Sequence, residues 1–198
     1  SLATGGVHLR LVKNGFYGGA TFIFNRLSRS LQPMKTDSLG QFSLSQLYRM
    51  WLPQGQQIWN LGENYGYNRG NISVNGETAY GNCNAIASIN AASYSFSSKF
   101  ALTALYRFYA FRYYALQSLS FSDGGSTQNE SGLYVGANWR ITKDLTLSSY
   151  ADMAYFPWPK YQTLGSSRGW DIMTNLLYQH KSVTIQARYR YRNKQRDN

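Results

Sequence analysis

The sequence is poor in acid: nine Asp and Glu stand against twenty Lys and Arg in 198 residues, for a net charge of +11. It has one cysteine, Cys83, two histidines and four prolines. A single cysteine excludes a disulfide within the chain and a cysteine-built metal centre. His8 and His180 have no second His, Cys or carboxylate at ligand spacing, so no metal and no cofactor are expected. Many serines are present but no Gly-x-Ser-x-Gly, which argues against a serine hydrolase. No catalytic residue is assigned, and the chain is read as non-enzymatic. No apolar run reaches the ~18 residues of a membrane helix, but a barrel strand crosses a bilayer in only about 9–11.

What the chain does contain is an unusual mixture. Charged residues make up 15%, against about 25% in ordinary globular domains. Aromatics make up 16%, led by 17 Tyr, yet the mean hydropathy is −0.43. Disordered chains lack this much aromatic surface. A sheet with one face to lipid, one to water and aromatics at both interfaces accounts for all three numbers. The basic residues are scattered, with one dense cluster between Arg188 and Arg196.

Alternation with a period of two is the strongest local signal. Val183, Ile185, Ala187, Tyr189 and Tyr191 fall on one face of a strand, and Thr184, Gln186, Arg188, Arg190 and Arg192 on the other. Leu133, Val135, Ala137, Trp139 and Ile141 alternate with Tyr134, Gly136, Asn138 and Arg140. Phe100, Leu102, Ala104, Tyr106 and Phe108 stand opposite Thr103 and Arg107. Trp170, Ile172, Leu176 and Tyr178 stand opposite Asp171, Asn175 and Gln179, with Thr174 a mild exception. Phe16, Ala20, Phe22 and Phe24 line one side of a further strand.

The connections alternate in length. Tight turns are expected at 97–99, 142–144 and 180–182, and long loops at 109–130 and 155–168. Short turns at one end and long loops at the other is the arrangement of an outer-membrane barrel. Asn14-Gly15 is a plausible hairpin turn. Residues 27–40, with Pro33, read as loop, and 66–70 as a turn. Strand order from 41 to 82 is not fixed by the pattern. Residues 72–80 either pair with 86–96 through Gly81-Asn82 or lie in a long loop.

The expected fold is all-β: one antiparallel transmembrane β-barrel, or a partial barrel wall, of about 8–12 strands over residues 1–198. Ser1 in place of Met and an end at Arg196-Asp197-Asn198, without a closing aromatic, suit a piece of a longer barrel. Arg107, Arg140, Arg188, Arg190 and Arg192 are the candidate lumen-facing cations. Lumen carboxylates such as Asp152 and Glu77 are expected to meet Arg107, Arg140 or Arg188, because an unpaired charge is costly where water is excluded. Phe156, Trp158 and Tyr161 surround two strand-ending prolines. They form either an aromatic anchor at headgroup level or a loop that binds ligand or folds into the pore.

Several segments together resemble a family. ALYRFYAFRYYAL (104–116), NESGLYVGANW (129–139), YADMAYFPWPKY (150–161), SSRGWDIM (166–173) and RYRYRNKQRDN (188–198) look like the barrel portion of Bacteroidetes outer-membrane proteins that carry a helix-hairpin-helix domain. GETAYG (76–81) resembles the Gly-Glu-x-Ala segment preceding these motifs. The resemblance covers roughly residues 60–198. It implies a larger outer-membrane protein with further strands, and no paired-helix module in this stretch. It supplies architecture rather than a mechanism.

Three functions compete at this level. The first is a channel or transport-linked barrel of the bacterial outer membrane, with lipid as its partner and a basic lumen suited to anionic solutes. The second is a surface protein handling DNA or another polyanion, motivated by the net charge and the family's attached domain. The third is a soluble β-sandwich binding glycans through Tyr and Trp. No oligomeric state follows from the sequence.

Overall fold

The computed structural model describes residues 1–34, 41 and 43–195. Ten strands carry the fold: β1 Leu2–Lys13, β2 Phe16–Leu31, β3 Gly55–Arg69, β4 Ile72–Gly81, β5 Ala85–Ser95, β6 Phe100–Tyr109, β7 Glu130–Arg140, β8 Leu145–Phe156, β9 Ser167–His180 and β10 Val183–Lys194. They form one antiparallel sheet in sequence order, each strand paired only with its chain neighbours. The helical element among the described residues is a single 3-10 segment, Leu44–Arg49.

The short connections share one end of the sheet. Asn14-Gly15 joins β1 to β2 with φ values of 49° and 84°. These are the two left-handed conformations that a type I′ hairpin turn requires. Gly70-Asn71, residues 96–99, residues 141–144 and Lys181-Ser182 make the other turns at this end. At the opposite end lie connections 32–54, 82–84, 110–129 and 157–166. Three of those four are long; the exception follows Gly81, which pairs directly with Ala85.

The period-two reading holds where it was clearest, because alternate strand residues must face opposite ways. On β6, Arg107 and Tyr109 are fully buried while Tyr106 is 52% exposed. On β7, Glu130 and Gly132 are buried while Leu133, Val135 and Trp139 are exposed. Thr174 does face the apolar side, where its hydroxyl accepts a hydrogen bond from Ser149 at 3.1 Å. We call the face carrying Arg107 inner and the other outer.

Two expectations need correction. Residues 27–31 are strand, not loop, because β2 continues past a register shift between Arg26 and Leu31; residues 35–40 lie outside the described residues. Residues 66–69 are also strand, with only Gly70 in the turn, since Tyr67 and Asn68 pair with Val74 and Ser73. Closure, which the sequence left undecided, is absent among the described residues: no pairing joins β1 to β10. Arg196, Asp197 and Asn198 lie outside the described residues.

Candidate functional site: a charge ladder and two cavities on the inner face

Strand register brings charge together across the inner face of β6 to β10. Arg107 lies opposite Gly132 on β7, and a methyl group at 132 would overlap its guanidinium. The missing side chain is what lets Arg107 lie flat over β7. Its Nε donates to Glu130, and its Nη1 and Nη2 donate to both oxygens of Asp152, at 2.7 and 3.2 Å. Asp152 in turn lies directly opposite Asp171 on β9. Like charges across a strand pair repel, so each carboxylate has its own cation on the side away from the other. Arg190 holds Asp171 in a two-point grip through Nε, at 2.9 Å, and Nη2.

The connection 110–129 completes the ladder. It folds back over the inner face instead of extending away from it. Glu130 accepts hydrogen bonds from the backbone N–H of Asp123 and Gly124, at 2.9 and 2.7 Å. Asp123 accepts one from Arg192 at 2.6 Å, and Lys194 Nζ lies 3.0 Å from the same oxygen. Burial pushes the Asp123 carboxyl upward, but Arg192 and Lys194 outweigh it and hold the group below its ordinary value. Phe121 lies under the Arg107 guanidinium, 5.1 Å from the ring centre, and its carbonyl accepts from the Tyr109 hydroxyl at 2.9 Å. Gln117 reaches Thr4 on β1 at 3.4 Å. The loop therefore touches both edge strands.

This ladder contains Glu130, Asp152, Asp171 and Asp123 against Arg107, Arg190, Arg192 and Lys194. Four negative charges meet four positive ones, and the band is neutral.

The loop also divides the inner face. On one side, a cavity of about 270 Å³ lies between β2–β5 and residues 115–120. Asn25, Asn60, Glu77, Ala79, Tyr109 and Tyr113 contribute to its wall. On the other, a cavity of about 350 Å³ borders Tyr134, Tyr150 and the Asp152–Asp171–Arg190 part of the ladder.

Above both, the three long connections knit into a cap. Trp158 stacks on Phe111 with ring centres 5.3 Å apart and stands edge-on to Trp51 at 6.0 Å. Its Nε1 donates to the Leu47 carbonyl at 2.8 Å. Asn129 exchanges two hydrogen bonds of 2.8 Å with the Trp158 backbone.

The sequence candidates scatter accordingly. Arg107, Arg190 and Arg192 enter the ladder. Arg188 faces the same way, but its neighbour is Asn175 at 3.5 Å. Arg140 sits at the short-turn end beside Asn71 and Ser97. The expected pairing of carboxylates with Arg107 is present, whereas Asp171 takes Arg190 and Arg192 in place of Arg140 or Arg188. Phe156 is 2% exposed and packs under Lys160, so it has no surface to offer a headgroup layer. Trp158 is locked in the cap, and Tyr161 is 69% exposed. Sequence reasoning missed Asp123 and Lys194. Gly124-Gly125 marked a loop, but nothing in the pattern showed which way the loop folds. It also missed the His180–Asp144 contact of 3.1 Å between neighbouring turns.

Among the described residues no helix is long and apolar enough to cross a membrane. The chain matches no family model, no curated protein and no solved structure.

Proposed function

We propose that this chain is a wall of a bacterial outer-membrane β-barrel, and that its inner face serves solute passage rather than catalysis. The supporting observation is an inverted distribution of residue types. Arg107, Glu130 and Asn25 are among the most buried side chains, while Leu133, Val135, Trp170, Ile172, Val183 and Ile185 stand exposed in rows on the outer face. Water-soluble domains bury the second set and expose the first. A bilayer reverses that preference on one face of a sheet, and the absence of membrane helices is irrelevant to it. The resemblance to the Bacteroidetes barrels fits this reading and adds the expectation of further strands beyond the open edges.

The rival readings gain less from the geometry. A sandwich needs two packed sheets, and all ten strands belong to one. A polyanion-binding stripe on β10 would need free cations, but Arg190, Arg192 and Lys194 already hold carboxylates. A neutral ladder also weakens the expectation of a strongly anion-selective lumen, leaving Arg188 as its source on that strand.

Membrane fractionation of the full-length protein tests the reading. Retention in the membrane after alkaline or urea washing is the expected outcome, followed by conductance in planar bilayers with weak ion selectivity. Recovery of the folded protein in the aqueous phase without detergent overturns it.

A further inference from the structure

Glu77 faces the inner side of β4 and lines two cavities at once. One is the cavity beneath residues 115–120; the other, also about 270 Å³, is bounded by Tyr17, Asn64, Asn75, Ile89 and Leu105. Glu130, Asp152, Asp171 and Asp123 have cations in the ladder, but no described cation is paired with Glu77. Arg107, the nearest inner-face arginine in register, stands two strands away opposite Ile89 and is already committed to Glu130 and Asp152, while Arg10 on β1 packs over the Tyr17 ring at 4.9 Å. Around the carboxylate, Tyr109 and Tyr113 bring aromatic surface, Asn25 and Asn60 bring buried amides, and Ala79, Ala87 and Ile89 bring apolar wall. Burial, then the nearby Cys83 and Glu77, push the Tyr113 hydroxyl up to about 12. Thr127 also lines the cavity, and its hydroxyl is buried with no hydrogen-bond partner.

We propose that this cavity binds a small organic cation, a primary ammonium group on a short apolar or aromatic body, with Glu77 as its counter-charge. A carboxylate gives an ammonium charge-assisted hydrogen bonds, and tyrosine faces attract it further. The apolar wall takes the body. At a liquid share of about 30 Å³ per water, the volume equals about nine waters, room for a compact amine. An anion meets a net repulsion here, because Glu77 is uncompensated and the nearby ladder is neutral. The inner face thus carries two compartments of different chemistry, split by residues 110–129.

This deepens the solute-passage reading and rests on it only for the inner face being water-accessible. Binding is therefore measured on the full-length protein folded in detergent micelles, separately from fractionation and conductance. Calorimetric titration with 2-phenylethylamine, its neutral analogue 2-phenylethanol, 3-phenylpropionate and ammonium chloride separates charge from shape. The expected result is saturable binding of the amine alone. Glu77→Gln weakens that binding by about tenfold or more, in line with loss of a charge-assisted contact. Ala79→Leu abolishes it by filling the wall, and serves as the independent variant should E77Q fail to fold. Equal binding of the alcohol or the anion, competition by ammonium ion alone, or wild-type affinity in both variants each overturns the proposal. Loss of membrane retention with amine binding intact would instead overturn the barrel reading.

Discussion

Arg107 shows how much one position decides. It is fully buried and contacts two carboxylates on two neighbouring strands. Removing one partner of a buried ion pair leaves an uncompensated charge, which costs about 3–5 kcal/mol. Arg107→Met is expected to lower stability by that order, read as a shift of the urea midpoint in detergent. Arg107→Lys should recover only part of it, because a point charge cannot bridge Glu130 and grip both oxygens of Asp152. Gly132→Ala should lose stability without touching a charge, since the added methyl occupies the space of the guanidinium. A Gly132→Ala protein as stable as the parent would show that Arg107 can pair without lying across β7. At this scale the sequence was half legible. Alternation put Arg107, Asp152 and Asp171 on one face. The choice of Arg190 over Arg188 for Asp171 depends on which rows of β9 and β10 lie side by side, and register is set by turns and pairings that no single strand reveals.

Among the elements, the connection 110–129 depends most on its electrostatics. Its tip is held by Asp123, whose carboxyl is kept below its ordinary value by Arg192 and Lys194. The unfolded carboxyl titrates near pH ~3.9. A group whose folded value is depressed contributes its full stabilisation above that pH and loses it as pH falls through the folded value. Docking of the loop should therefore hold from neutral pH down to about 4 and weaken below it. Hydrogen exchange of residues 117–124 across that range is the measurement. Asp123→Asn should flatten the acid dependence, and a profile identical to the parent would assign the dependence to another carboxylate. High salt should loosen the parent in the same direction, because Arg192 is 44% exposed and exposed pairs are screened. The strands themselves were the most readable elements, since β6, β7, β9 and β10 alternate cleanly. Residues 41–82 resisted because outer positions of β3 and β4 include Glu63 and Thr78, which break the apolar row that alternation looks for, as Ser88 and Asn90 do on the neighbouring β5.

Those same residues matter most for the whole molecule. Register aligns Glu63 with Thr78 and Thr78 with Ser88 across three strands. Thr78 and Ser88 hydroxyls lie 2.9 Å apart, Asn90 donates to Ser88 at 3.0 Å, and Tyr65 donates to Asn90. The stripe is thus largely self-satisfied in hydrogen bonds, with the exposed carboxylate of Glu63 at its end. On β7, β9 and β10 the outer face is mostly exposed aliphatic and aromatic side chains instead, interrupted at Thr174. A charge on a lipid-facing strand costs up to about 2–4 kcal/mol at mid-depth for Arg or Lys, and less for an acid. Val135→Arg should therefore impair folding into vesicles by an amount in that range while leaving the inner ladder untouched. If the outer face of β3 to β5, as well as that of β7 to β10, meets lipid, Glu63→Leu should gain stability in vesicles, by about 1 kcal/mol or more. The paired measurement separates two arrangements of the wall. A penalty at 135 with a gain at 63 puts the entire outer face in lipid. A penalty at 135 with a loss at 63 means that the stripe is covered by polar protein surface, and that lipid meets only the β7 to β10 side. No penalty at 135 removes lipid from the outer face altogether, and with it the reason for an inside-out sheet.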